Sequence, residues 1–516
     1  MLTVARAPFE TPRPGAPTLG HARRPHAIVI GAGFGGLAAA MRLGARGYRV
    51  TVLDKLDSPG GRGSAFRQDG FVFDAGPTIV TAPQLFEELW SLTGRDLAED
   101  VDLRPLDPFY TIRFDDGETF TASPDEDFMR AEVARLSPRD LKGWERFMAG
   151  GKERYRVGFE GMGQRPFRTV MDMVRCLPDL VRLRADRSVH GHAAHCVRDP
   201  RLRSALSFHP LFLGGDPFKV TSVYCLVAYL ESQFGVHYVM GGTNRLAQAM
   251  AERIIDQGGA LHYGIEVDEI LTRDGRATGV RLANGTERTA DIVVSNADSV
   301  WTYRHLLRNV TRRRWTDSKL DRQHYSMGLY VLYFGTDRRW EEVPHHTILM
   351  GPRYKGLIDD IFRTGKLADD MSIYLHRPSA TDPSVAPPGC DSFYALAPVP
   401  HLGFGQDWEV EAPRYRELLL KRLDETVLPG VADHIVSETS LSPADFRTRY
   451  LSHHGAGFSL EPRLLQSAWF RPHNASEEVE GLYLVGAGTH PGAGLPGVVG
   501  SAKLLDDLVP HGRELV

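Results

Sequence analysis

Ala27-Ile28-Val29-Ile30-Gly31-Ala32-Gly33-Phe34-Gly35-Gly36 decides how this 516-residue chain is read. A short apolar run leads straight into G-x-G-x-x-G. A helical pattern follows on Leu37, Ala38, Met41 and Leu43, closing at Gly44 or Gly47. A second strand, 49–53, ends in Asp54, twenty-three residues after Gly31. Each part has a physical task. Gly31 makes the tight turn, Gly33 lets the backbone approach a pyrophosphate, and Gly36 lets the helix pack closely on the strand. The first helical turn, from Phe34 and Gly35, offers unpaired amides and the positive end of a helix dipole to the phosphates. Asp54, followed by Lys55, can accept hydrogen bonds from a ribose diol, which argues against a 2′-phosphate and so against NADP. In this strand–helix–strand setting the glycine pattern marks a dinucleotide site.

Ser58-Pro59-Gly60-Gly61-Arg62-Gly63 follows the second strand at once. Its glycine pair permits close backbone approach, and Arg62 offers a fixed cation near the phosphates. Phe71-Val72-Phe73 then runs into Asp74-Ala75-Gly76-Pro77-Thr78, a strand ending in a loop that can lie against a flat ring. Further on, Gly241-Gly242-Thr243-Asn244 opens a helix that stops at Gly258-Gly259, and a strand over 265–270, with Val267 in it, follows. Asp274-Gly275 and Asn284-Gly285 punctuate strands at 278–282 and 287–289, and 291–295 returns as a buried strand. This order predicts a β-meander inserted within the dinucleotide sheet, and therefore a discontinuous nucleotide domain.

Near the C-terminus, 482–485 is a strand running into a glycine-rich loop. Gly492-Ala493-Gly494-Leu495-Pro496-Gly497 also matches G-x-G-x-x-G, but no strand immediately precedes it and Pro496 lies inside it. It is not a second nucleotide site. With Gly488, Gly497 and Val498, and a helix over 498–505, this loop suits the pyrimidine edge or ribityl chain of a flavin already held by the first motif.

Composition excludes several classes. Hydrophobic residues at 42 % and charged residues at 24 % fit a globular protein and not a disordered one. A net charge of −4 supplies no field for nucleic acid. Cys176, Cys196, Cys225 and Cys390 are scattered, without zinc spacing or a dithiol pair, which predicts a cytoplasmic protein. No run reaches the roughly 18–20 apolar residues that span a bilayer. The Pro- and Arg-rich stretch 1–25 reads as a disordered tail rather than a signal or transit segment.

The motifs together resemble those of bacterial-type phytoene desaturases, the carotenoid-forming branch of the FAD-dependent amine-oxidase-like flavoproteins. The likeness runs from Ala27 to about Asp507. The glycine loop with Gly60-Gly61-Arg62, and the C-terminal block, belong to the whole flavoprotein class or complete the set. Phe208-His209, Gly214-Gly215-Asp216-Pro217-Phe218, Asn296-Ala297-Asp298, His345-His346-Thr347 and Arg471-Pro472-His473-Asn474 are more specific. The resemblance implies FAD as sole redox cofactor and a linear carotene as substrate. It also implies hydride transfer to the flavin, peripheral attachment to a membrane surface, and an acceptor such as oxygen or a quinone. After Phe147, where some family members carry an acidic and a basic residue, this chain has Ala149 and Lys152, and no acid–base role is carried over.

The fold expected is α/β: a discontinuous Rossmann-like FAD-binding domain with a β-meander insertion, built from 26–80, 240–300 and 475–510. A mixed-sheet substrate domain and a helical membrane-facing part take 81–239 and 301–474. Arginines and apolar residues at helical spacing over 167–187, interrupted at Pro178, predict an interfacial helix, with 220–230 as a second part of the entrance. His345-His346 and His453-His454 are assigned no metal, because neighbouring residues point apart on a strand. Other readings stay open: a desaturase of hydroxylated, methoxylated or C30 carotenoids, a carotenoid isomerase, a non-catalytic isoprenoid-binding protein, or an amine oxidase.

Overall fold

The computed structural model describes residues 24–514, so the tail expected over 1–25 lies outside the described residues but for its last two. The apolar run forms the strand His26–Ile30, buried at all five positions. A strand that shows no alternation must be covered on both faces, and this one is central. It lies in a five-stranded sheet of order 482–484, 292–295, 26–30, 49–53, 260–262, in which every neighbouring pair is parallel. Val29 sits opposite both Val294 and Val52.

Helices Phe34–Ala45, Thr243–Asp256 and Leu495–Lys503 cover one face, packing Leu37, Met41, Leu246, Met250 and Val499 against Val29 and Val52. The C-terminal helix starts at Leu495, one turn earlier than its apolar pattern suggests. Pro496 falls in its first turn, where a missing N–H leaves no bond unmade. A three-stranded antiparallel sheet (Val267–Arg273, Arg276–Leu282, Glu287–Thr289) covers the other face and brings Ile270 and Val280 against Ile28 and Val293. Asp274 and Gly275 both have positive φ, 51° and 79°, which a two-residue turn matched to strand twist requires.

A second, seven-stranded mixed sheet has the order 435–441, 328–336, 391–399, 373–376, 346–349, 110–113, 119–122. All pairs are antiparallel except 346–349 with 110–113. Gly328–Thr336 is buried at all nine positions. Its alternate residues serve two cores, Tyr330, Leu332 and Phe334 on one side and Leu329, Val331 and Tyr333 on the other.

The segment expected to kink or split at Pro178 is not split: it is one helix, Val170–Arg182, started by a capping box between Thr169 and Asp172. Pro178 and Val174, the residue one turn earlier, are both exposed, so the carbonyl that Pro178 leaves unbonded faces water. In the stretch 220–230, expected as a second part of the entrance, Val220, Leu226 and Leu230 are buried, the last two in the helix Leu226–Phe234 that follows a 3-10 turn at Ser222–Cys225. No helix among the described residues is long and apolar enough to cross a membrane.

Candidate functional site

Gly31 turns with φ +94°, its amide donating to the Leu53 carbonyl at 2.7 Å. A Cβ on Gly36 would collide with the Gly31 carbonyl, and one on Gly33 would lie 2.9 Å from Nδ2 of Asn296. The helix Phe34–Ala45 therefore starts flush against its loop. Its N-cap is Gly33, with no side-chain cap and no acidic residue in the first turn, so the first amides are left for a ligand. Asp54 accepts from the amides of Ala32 (2.6 Å) and Leu56 (2.7 Å). Burial raises its pKa while those amides oppose the rise. Each oxygen keeps a lone pair for a diol. Arg62 donates to Ser452 Oγ, and its Nε has no hydrogen-bond partner among the described residues.

Two further segments lock this cradle. Asp74 does more than end a strand: it accepts from the amides of Thr243 (2.9 Å) and Asn244 (3.3 Å), capping a helix whose own N-cap, Gly242, has no side chain. Burial pushes the Asp74 carboxyl up to about 6. Asn244 Nδ2 then donates to the carbonyls of Pro59 (2.9 Å) and Gly63 (3.1 Å), fastening the loop that carries Arg62. At the C-terminal loop, fully buried Arg471 donates to the carbonyls of Leu460 (2.8 Å) and Ala487 (2.9 Å). Asn474 donates to the His490 carbonyl at 2.9 Å. These anchors hold Gly486 over Asn296, beside the first glycine loop.

One cavity of about 540 Å³ meets all these loops. Gly31, Gly33, Phe34, Gly35, Asp54, Lys55, Gly61, Arg62, Gly76, Pro77, Thr78, Val267, Gly497 and Val498 line it. Two residues singled out in the sequence do not. Gly36 lies behind the loop as a packing contact, and Gly488 faces Ser299 and Ser459, where a Cβ would collide with the Ser299 hydroxyl. Sequence reasoning did not single out Asn296, Asp298, Gly486, Ala487 and Arg449, which also line the cavity. Asn296-Ala297-Asp298, as a motif, and the glycine-rich loop that begins at Gly486-Ala487 carry a signal for four of them. Beyond Thr78 the lining becomes apolar: Phe208, Leu211, Phe212, Val227, Leu230, Met327, Leu329, Ile348, Leu396 and Phe458. The glycine cradle, uncapped helix start, free guanidinium nitrogen and buried carboxylate fit a dinucleotide, and the apolar extension fits a hydrocarbon.

The histidines require a correction. His345 and His346 do not diverge: their rings lie 4.5 Å apart and close on His376, at 4.8 and 4.9 Å. All three are buried, with nitrogens within 4.8 Å of one another. His346 Nδ1 lies 2.8 Å from Tyr374 Oη and 3.2 Å from His376 Nδ1, and His345 Nδ1 lies 2.6 Å from Thr381 Oγ1, while Nε2 of each of the three rings is buried with no hydrogen-bond partner among the described residues. Burial lowers all three pKa values, to about 3 for His345, and so keeps the rings neutral. They form a hydrogen-bonded support behind Tyr374.

A model of the flavin containing amine oxidoreductase family matches residues 34–504. The chain is 59 % identical over 490 residues to a neurosporene-forming phytoene desaturase of Rhodobacter capsulatus, covering 94 % of each chain. It is 46 % identical to a lycopene-forming phytoene desaturase of Paracoccus sp., covering 92 % of this chain and 95 % of the other. Among solved structures, a putrescine oxidase redesigned in its cofactor binding aligns with a TM-score of 0.63 at 14 % identity, over 95 % of this chain and 99 % of that one. That last likeness speaks for the fold alone.

Proposed function

The chain belongs to the flavin containing amine oxidoreductase family, among its bacterial-type phytoene desaturases, and on that premise we propose that it desaturates the linear carotene phytoene with FAD. One observation carries the reading: a single cavity joins a dinucleotide cradle to an apolar lining. Identity to the neurosporene-forming relatives, 58 and 59 %, exceeds that to the lycopene-forming ones, 44 to 46 %, and favours neurosporene as the end product.

Bound FAD would supply a two-electron acceptor for an allylic hydrogen too weakly acidic for a side chain to remove unaided. The chain's own residues do the rest. We assign the pyrophosphate to Gly31, Gly33, Phe34 and Gly35 with Arg62, the adenosine ribose to Asp54 with Lys55, and the adenosine flank to Val267. Gly61, Gly76, Pro77, Thr78, Gly497 and Val498 are assigned to the flavin end. This grouping is a Rossmann-like arrangement assembled from 26–80, 240–300 and 475–510. The apolar lining orients the polyene and excludes water. Anaerobic phytoene in liposomes should bleach the flavin as a more conjugated carotene forms, with neurosporene identified by chromatography. Bound phytoene with unchanged flavin absorbance and no new carotene refutes the reading.

The helix Val170–Arg182 supports peripheral attachment to a membrane. Val170, Met171, Val174, Leu177 and Val181 are 43 to 70 % exposed on it, while Met173 and Leu180 face a small core with Phe167 and Ala468. Met173, Leu180 and Ala468 also line the cavity, so the exposed stripe lies on the outer side of a cavity wall. We propose that this stripe sits in the lipid surface from which the insoluble substrate enters.

A further inference from the structure

Desaturation removes two hydrogens, and the flavin takes only one of them, as hydride. Besides the hydride, a proton must leave the neighbouring carbon. Among the described residues, the carboxylates lining the cavity are Asp54, Glu231, Glu266 and Asp298. Asp54 is engaged by two backbone amides in the nucleotide cradle, and Glu266 is exposed. Asp298 also has a buried oxygen, Oδ2, without a hydrogen-bond partner, but it caps the turn at Val300 and Trp301 and carries the charge opposite Arg62 in the cradle. Glu231 is different. It is 3 % exposed, it lies on the helix Leu226–Phe234 whose Val227 and Leu230 line the apolar part, and the cradle does not use it.

Its two oxygens are also unequal. Oε2 lies 3.1 Å from Tyr110 Oη and 3.2 Å from His209 Nε2, while Oε1 is buried with no hydrogen-bond partner. A buried acceptor left without a partner is costly, so an orphan oxygen on a cavity wall needs a reason. A chain of rings connects this group to the loop facing the flavin end. Tyr110 meets Phe208 at 5.4 Å, Phe208 meets Phe212 at 5.3 Å, and Phe212 meets Tyr374 at 5.7 Å. Tyr374 Oη lies 2.5 Å from Thr78 Oγ1. Thr78 and Tyr374 are neutral and engaged with each other, so neither is a base.

We propose that Glu231 is the proton acceptor of the desaturation, with Tyr110 and His209 as positioning residues that hold Oε2 and leave Oε1 to the substrate. This rests on the desaturase reading. In the step, one allylic C–H bond breaks and its hydrogen leaves with both electrons to the flavin. The adjacent carbon gives its proton to Oε1, and the electrons of that C–H bond become the second bond of the new C=C. The carboxylate becomes a carboxylic acid, and one flavin is reduced per double bond. Because the group is held among apolar walls, the polyene itself supplies the proton while water is kept away.

The test uses the FAD-loaded protein with phytoene in liposomes. Glu231→Gln keeps the shape and an acceptor for Tyr110, so FAD content, circular dichroism and phytoene retention should match the parent. Anaerobic flavin bleaching should slow about 100-fold or more and lose its rise with pH. Tyr110→Phe removes the hydroxyl that holds Oε2 in place, so bleaching should slow with FAD content and phytoene retention unchanged. Infrared difference spectra should show a protonated-carboxyl band on reduction by phytoene, and Glu231→Gln should lack it. A folded, carotene-retaining Glu231→Gln variant that bleaches within twofold of the parent, with the same pH profile, overturns the proposal. If Glu231→Gln loses FAD or fold, Glu231→Asp decides. A shortened carboxylate must then slow bleaching with FAD and carotene retained, and parental bleaching overturns the proposal. A parent that holds phytoene without bleaching overturns the desaturase reading itself, which separates the two failures.

Discussion

Replacing Leu177 and Val181 by Glu tests the membrane proposal where it is most exposed to refutation. The two side chains are 47 and 70 % exposed, so neither substitution disturbs the core beneath. Fully burying a Leu or Val is worth about 1.5–3 kcal/mol, and burying the half or so still in water recovers about 1 kcal/mol each. Losing both costs about 2 kcal/mol of lipid affinity. Two carboxylates brought against an anionic leaflet add about 1 kcal/mol of repulsion apiece. The sum, about 4 kcal/mol, lowers the partition coefficient nearly 1,000-fold.

Charge plays a smaller part than the arginines suggest. Arg175 pairs with Asp172 at 3.1 Å, Arg182 with Asp179 at 2.9 Å and Glu153 at 2.6 Å, and Arg184 with Asp186 at 3.0 Å. Their field is largely cancelled on the spot, so raising salt should weaken binding far less than the double substitution does. Liposome flotation reads both effects, with circular dichroism and flavin absorbance checking the fold. Val410→Glu, at an equally exposed apolar position on another helix, is the control and should float as the parent does. A folded, FAD-loaded double variant that floats with anionic liposomes like the parent refutes the docking assignment.

Two further outcomes follow from the cradle. Gly33→Val should strip bound FAD and Asp54→Ala reduce it. Gly36→Ala, whose Cβ collides with the Gly31 carbonyl, should weaken FAD at least about tenfold by overpacking alone, and full flavin occupancy in all three would refute the cradle. Asp74 ordinarily titrates near 3.8 and is held up to about 6 in the fold, so the folded state keeps a proton that the unfolded chain has released. Stability should therefore be highest below about pH 4 as far as this group is concerned, fall as pH rises to about 6, and level off above. In total that is about 3 kcal/mol, and the fall should be absent from Asp74→Asn in urea unfolding at a series of pH values; identical pH dependence would refute it.

What the sequence made legible was local. The glycine loop, its strand and its helix lie within twenty residues, and Gly31 and Gly36 are required by the turn itself, although Gly33 and Gly35 are closed in by Asn296 and Gly486 from far along the chain. Asp274-Gly275 needs no distant partner to close a hairpin. Pro178 misled for the opposite reason: breaking a helix depends on whether the freed carbonyl can reach water, and that is set by which face is buried. His345 and His346 misled because the argument from strand alternation ignores His376, which arrives on the neighbouring strand opposite His346. Asp74 reads as the end of a strand until Thr243 and Asn244, about 170 residues later, present their amides to it.

The proton acceptor is the extreme case. Ala149 and Lys152, where relatives of the chain would be searched for an acid–base pair, are both exposed on the helix Leu141–Arg154 and do not line the cavity. Glu231, His209 and Tyr110 come from a helix, a 3-10 turn and a strand, with 121 residues between Tyr110 and Glu231, and nothing in their spacing announces them. In the sequence Phe208-His209 is legible only as a motif. The structure explains why its two residues go together: Phe208 packs on Tyr110 and lines the cavity, while the His209 ring, stacked on Phe208 at 4.3 Å and outside the lining, holds the carboxylate. Conserving the shape of that wall and orienting the base are then a single requirement, since Phe208 fixes the ring whose hydroxyl fixes Oε2. Phe208→Leu should accordingly disturb the pH profile as well as carotene retention, whereas Phe458→Leu, an apolar change elsewhere in the same cavity, should affect retention alone.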